Sequence, residues 1–209
     1  PVGYSAMGGQ TLNPYGRRQF ETGGSSSGSG VAVAANYAVA AIGSETSGSI
    51  LSPSGKNSVV GLKPTIGAVS RSGVVPISST LDTAGPMTKN VVDNAILLSA
   101  ITGLDSKDSY SYASQSIRFQ GLDTIQMKGK RLGLIRNFAK DSLMQVAIKI
   151  MEEAGATIIT FDPPEAALKQ FRKILDVDMK KDLPLYIDSH GNRSLGLDSV
   201  KDIVAFNKR

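Results

Sequence analysis

A chain of 209 residues with 41% hydrophobic and 20% charged residues can bury an apolar core, and its lack of cysteine excludes disulfides, zinc–thiolate sites and cysteine nucleophiles. The net charge of +5 is dispersed. Its densest groups, Lys128, Lys130, Arg131 and Lys180, Lys181, have no interleaved aromatics, which argues against a nucleic-acid surface. The longest apolar stretch, Val31 to Ile42, is too short for the roughly 20 residues that cross a bilayer. No secretory leader is recognisable at the start, and the missing cysteines fit a reducing compartment, so a cytoplasmic location is expected.

Residues 23–30 read GGSSSGSG. Such composition can be a flexible linker. Here it runs directly into VAVAANYAVAAIG, whose small residues predict a tightly packed buried helix. A second Ser/Gly cluster, GSETSGSILSPSG, follows over Gly43 to Gly55. The pieces VVGLKPTIG and SRSGVVPIS read as short strands or extended segments broken by Gly and Pro. Thr88 to Leu104 has helical spacing, with Thr88 as N-cap and Gly103 as stop.

Lys130 to Arg136 predicts a strand. Ser142 to Ala154 predicts an amphipathic helix with Leu143, Val146, Ala147, Ile150 and Met151 on one face, ended by Gly155. Ala156 to Phe161 predicts a second strand, making a unit that normally has parallel strands and a right-handed crossover. Helices are expected over 165–183 and 197–207. The fold class is α/β, without an internal repeat.

The residues also narrow the chemistry. The single histidine, His190, lies between Ser189 and Gly191 and reads as an exposed loop residue, so a Ser-His-Asp triad has little to stand on. There is no GxSxG elbow: Ser49 sits in Ser47-Gly48-Ser49-Ile50-Leu51. Gly55-Lys56 is followed by Asn57, which fails the P-loop, and Gly28-Ser29-Gly30 is followed by Val31, Ala32 and Val33, which fails the dinucleotide fingerprint. Two Ser/Gly turns remain. In Thr46-Ser47-Gly48-Ser49, successive backbone N–H groups could converge on one cavity as an oxyanion hole. A serine there could attack a carbonyl if a base took its proton, and lysine is the natural candidate.

These segments together resemble the amidase signature family. The match runs through GGSSSGSG, Gly43-Ser44-Glu45-Thr46-Ser47-Gly48-Ser49-Ile50, Val60 to Thr65, Ser70 to Pro76 and Asp82 to Met87, and more weakly through Val200 to Asn207. The resemblance implies a mixed β-sheet core flanked by α-helices. It implies hydrolysis of a carboxylic or peptide amide through a Ser–cis-Ser–Lys triad and an acyl-enzyme. Carried over by motif, Ser49 is the nucleophile and Ser25, on a cis peptide bond, is the bridging serine. The backbone N–H groups of Thr46, Ser47, Gly48 and Ser49 are the oxyanion donors. Arg71 and Asp82 are read as structural hydrogen-bonding residues.

The family's lysine is expected upstream of residue 1. Lys56 and Lys63 are not read as the base, and Lys63 is assigned to packing in its GLKPT segment. Residues 1–209 are thus expected to form one incomplete amidase domain, with a signature core over 1–105, a peripheral α/β part over 106–209, and little activity on their own. Leu51, where the amidotransferase branch commonly has Arg, and the string SETSGSI favour a peptide-amidase-like member. The alternatives are an inactive amidase-like binding protein and an amidotransferase A-type subunit. No cofactor or metal is implied, and the expected partner is a small-molecule or peptide amide, with neither nucleic acid nor membrane.

Overall fold

The computed structural model describes residues 2–113, 126–164 and 170–208. The chain forms two compact units, one drawn from Pro1–Phe119 and Lys173–Arg209 and the other from Gln120–Arg172.

The first unit begins with a small antiparallel pair, β1 (Tyr4–Ser5) and β2 (Gly9–Gln10). Helix α1 (Ser27–Ala34) and strand β3 (Ala40–Glu45) follow. The single buried helix expected from Val31 onward therefore stops at Ala34. Asn36 adopts a left-handed φ of 61°, and the N–H groups of Tyr37 and Ala38 return to the Ala32 carbonyl, which closes the helix end. Residues 40–45 then extend because they find a partner strand. Their antiparallel register with β5 (Thr83–Thr88) runs from Ala40 opposite Thr88 to Glu45 opposite Thr83.

Helix α2 (Leu51–Lys56) and β4 (Val60–Gly61) complete a three-stranded sheet in the order β3-β5-β4. Of the expected extended pieces, only Val60–Gly61 becomes a strand; Val69 makes a single bridge to Thr102. Helix α3 (Val91–Ile101) starts later than expected. Thr88 ends β5, and the Asn90 side chain caps the helix by accepting from Asp93 N at 2.9 Å.

The core of this unit packs α1 and α2 on the sheet through Val33, Ala34, Ile50, Val59 and Met87. Ile50 and Met87 are fully buried, and each contributes roughly 2–3 kcal/mol relative to exposure. Ile50 directly follows Ser49, so packing of the core fixes the end of the second Ser/Gly turn. A second cluster joins Val69, Ala84 and Leu98. Helix α5 (Phe171–His190) continues through Pro184, beyond the expected end at 183, because proline removes one N–H without removing the turns on either side. The expected helical residues 165–169 lie outside the described residues. Helix α6 (Val200–Phe206) is capped by Ser199, whose side chain accepts from Asp202 N.

The second unit is the expected strand–helix–strand. β6 (Arg131–Ile135) and β7 (Thr157–Phe161) are parallel, and α4 (Ser142–Glu153) connects them. Asp141 caps α4 by accepting from Met144 N at 2.9 Å. The α/β class is thus observed, with antiparallel pairing in one unit and parallel pairing in the other.

Candidate active site

The two Ser/Gly turns meet where α1 begins and β3 ends. Ser27 starts α1 and its hydroxyl donates back to the Gly23 carbonyl at 2.6 Å, which fixes the turn carrying Ser25. The Gly24–Ser25 peptide bond is cis. Ser26 joins the turns: its N–H donates to the Ser49 carbonyl at 3.1 Å, and its hydroxyl accepts from Ser44 N at 3.0 Å and donates to Ser44 O at 3.1 Å. Ser26 stands at the N-cap position of α1, but its hydroxyl is spent on β3 rather than on the helix.

Glu45 organises the second turn. It is 4% exposed, and its carboxylate accepts from Gly48 N at 2.6 Å, Ile50 N at 2.7 Å and Leu51 N at 2.9 Å. Three backbone donors on one buried carboxylate compensate its desolvation and hold residues 46–51 in a single path. Gly48 supplies the positive φ of 83° that this path needs. The Gly48 N–H is therefore engaged by Glu45. The N–H groups of Thr46, Ser47 and Ser49 have no acceptor among the described residues.

Thr46 is fixed from both ends. Its hydroxyl donates to Asp82 Oδ1, and its carbonyl accepts from Lys63 Nζ at 2.6 Å. Asp82 Oδ2 in turn accepts from Ile77 N at 2.8 Å and Ser78 N at 2.9 Å, which ties loop 71–82 to the turn. Helix α5 secures that loop from outside: Asp182 accepts from Ser79 N at 2.7 Å, and Asp178 accepts from the hydroxyls of Ser78 and Thr80. Those two hydroxyl bonds hold the Asp178 carboxyl below the usual carboxylate range.

Ser25, Ser44, Thr46 and Ser49 line one small cavity, with Glu45 and Asp82 behind them and Val74, Val75 and Ile77 as an apolar wall. Its volume of about 20 Å³ is room for about one water. Ser47 and Gly48 are not among its lining residues, and Ser47 is exposed. Among the described residues the hydroxyls of Ser25 and Ser49 make no hydrogen bond, so both are free to engage a ligand. Asp82 also borders a second cavity, of about 190 Å³, beside Arg71, Lys107 and Asp108.

Arg71 is engaged by partners within the fold. It forms a bidentate pair with Asp108 at 2.6 and 2.9 Å, donates to the Ser79 carbonyl, and lies 4.5 Å from the centre of the Tyr110 ring. The guanidinium bonds pull the Asp108 carboxyl from 3.8 down to about 2.

His190 ends α5 rather than lying in a loop; it is exposed, stacks on Tyr186 at 4.6 Å, and has Ser189 Oγ 2.8 Å from Nδ1. Among the described residues no group of three or more His, Cys, Asp or Glu could hold a metal ion, and no helix is long and apolar enough to cross a membrane.

Sequence reasoning did not find the roles of Glu45 and Lys63. Glu45 carried a local signal, an acid placed just before a run of small residues whose N–H groups need an acceptor. Lys63 carried none.

The sequence profile of the family described as Amidase matches residues 2–202. The crystal structure of a peptide amidase from Stenotrophomonas maltophilia superposes with a TM-score of 0.90 at 41% identity, over 99% of this chain and 44% of that one. The A-type subunit of the glutamyl-tRNA(Gln) amidotransferase from Thermotoga maritima superposes at 0.75 with 29% identity, over 95% of this chain and 47% of that one. Its counterpart from Ruegeria sp. is 39% identical over 191 residues, covering 85% of this chain and 39% of its own length. The chain thus spans less than half the length of each of these relatives.

Proposed function

The chain belongs to the amidase family, and on that premise we propose that it carries the nucleophile and oxyanion hole of an amide hydrolase, with Ser49 attacking the amide carbonyl. The observation that carries this reading is the shared cavity. Ser25 and Ser49 both line it with uncommitted hydroxyls, beside a turn whose N–H groups at Thr46, Ser47 and Ser49 lack acceptors. Such donors stabilise negative charge on a carbonyl oxygen as the tetrahedral intermediate forms.

In the proposed sequence, the Ser49 hydroxyl loses its proton through Ser25 to a lysine and adds to the carbonyl carbon. The C–N bond breaks as the leaving amine takes that proton. Water then cleaves the Ser49 ester, giving the acid and restoring the hydroxyl. The relay's lysine is assigned to none of residues 1–209. Lys63, the lysine bonded to the nucleophile turn, is held by the Thr46 carbonyl. Gly48 acts by bonding Glu45 and shaping the turn.

A carboxamide or peptide amide is the proposed substrate class. The better superposition on the peptide amidase than on the amidotransferase protein favours this branch. The amidotransferase reading keeps support from the Ruegeria relative, and it requires a stably co-purifying partner protein. The test is turnover of a peptide amide by the full-length gene product and by its Ser49→Ala variant. Ammonia release lost by at least about 10³-fold in the variant supports the reading. Turnover that survives the substitution contradicts it.

A further inference from the structure

We propose that Lys63 is a positioning residue that polarises the Thr46–Ser47 peptide and so strengthens the Ser47 N–H as an oxyanion donor; this rests on the reading of Ser49 as nucleophile. Lys63 stands in Gly61-Leu62-Lys63-Pro64-Thr65, just after β4. A lysine there could simply extend into water. Instead its side chain is 26% exposed, and Nζ donates to the Thr46 carbonyl at 2.6 Å. The same ammonium stands 4.0 Å from Glu45 Oε1, the oxygen that accepts the Gly48 N–H. One cation thus bonds the Thr46 carbonyl and stands within ion-pair distance of the carboxylate that holds the rest of the turn.

The consequence follows from peptide geometry. Among the described residues the cis bond is Gly24–Ser25, so the Thr46–Ser47 bond is trans. In a trans peptide the C=O and N–H point in opposite directions. Holding the Thr46 oxygen on the ammonium therefore fixes the Ser47 N–H on the side away from Lys63, where it has no acceptor among the described residues. A charge-assisted bond on the carbonyl draws electron density toward oxygen and leaves the N–H end more positive. That gain is larger against an oxyanion than against a neutral carbonyl, so it belongs to the transition state more than to substrate binding.

The experiment uses three variants of the full-length gene product: Lys63→Met, which removes bond and charge; Lys63→Gln, which keeps a donor without charge; and Lys63→Arg, which keeps the charge. Each is assayed with a carboxamide that the wild-type protein turns over. Each is also titrated with the boronic acid in which B(OH)₂ replaces that substrate's carboxamide group, since addition of the Ser49 hydroxyl makes a tetrahedral anion. Lys63→Met and Lys63→Gln are expected to lose about 10- to 100-fold in kcat with KM within about threefold. Boronic-acid affinity is expected to fall by the same factor as kcat/KM, and Lys63→Arg to recover most of both.

Wild-type kcat in Lys63→Gln would overturn the proposal, as would lost kcat with unchanged boronic-acid affinity, the pattern of a merely structural lysine. If Lys63→Met does not fold, the Gln and Arg variants decide by the same comparison. Turnover surviving in Ser49→Ala would overturn the nucleophile reading and this proposal together. An inactive Ser49→Ala beside a fully active Lys63→Gln would overturn this proposal alone.

Discussion

Thr46 and Asp82, 36 positions apart, are joined by a buried hydrogen bond from the threonine hydroxyl to the carboxylate. Asp82 also accepts from the backbone of Ile77 and Ser78, so one side chain couples the turn carrying Ser49 to the loop that walls its cavity. Replacing Asp82 with Ala leaves three donors without their acceptor. The expected loss is about 2–4 kcal/mol in urea unfolding, with Asp82→Asn costing less because one acceptor oxygen remains.

Arg71 and Asp108 make a separate prediction about pH. The native carboxyl, held at about 2 by the guanidinium, lies below its ordinary value of 3.8. A depressed native pKa stabilises the fold above the unfolded value, and the contribution is lost as pH falls from about 4 toward about 2. The shift corresponds to roughly 2 kcal/mol. Thermal unfolding followed by circular dichroism between about pH 5 and about pH 2 is expected to show that loss in the wild-type protein. Asp108→Asn lacks this component and starts from a lower midpoint at neutral pH, because Arg71 is left buried without its partner.

Glu45→Gln keeps the size of the side chain but gives the turn one acceptor oxygen in place of two, with an NH₂ facing backbone donors. The N–H groups of residues 48–51 then shift relative to Ser49. Steady-state kinetics of the full-length gene product are expected to show kcat reduced by about 10²-fold, comparable with loss of one oxyanion donor. Glu45→Asp retains the charge and is expected to lose less.

Gly85 opposes Gly43 in β5, and a Cβ there would meet the Leu62 carbonyl oxygen at 2.2 Å. That neighbour is backbone and cannot rotate away. Gly85→Ala is expected to destabilise by about 2–3 kcal/mol in urea unfolding. It should also disturb β4, whose exit is held by Leu62 N on the Pro86 carbonyl.

The sequence showed most where local chemistry decides structure. The β6–α4–β7 unit followed from hydrophobic spacing and from Gly155 closing the helix. Ser25 and Ser49 were singled out by the resemblance of their two Ser/Gly turns to the amidase signature, and the structure brings both side chains to one small cavity. It misled where a distant partner decides. Residues 40–45 are Ala-rich and helix-prone, yet they extend because Thr83–Thr88 supplies a ladder and Asn36 stops α1. Thr88 looked like a cap because nothing local reveals that it ends a strand and that Asn90 follows as the cap. Glu45 and Lys63 were hidden for a related reason: their partners are backbone groups, which every residue carries and no motif displays.

The central claim is that Ser49 forms the acyl-enzyme, and its most direct test is the site of acylation. The full-length gene product would be acid-quenched during turnover of a peptide amide or its activated ester, digested, and mapped by mass spectrometry. The expected result is an acyl adduct on the peptide containing Ser49, absent from Ser49→Ala and accumulating in step with turnover. An adduct on another residue, or turnover that continues in Ser49→Ala, would contradict the account.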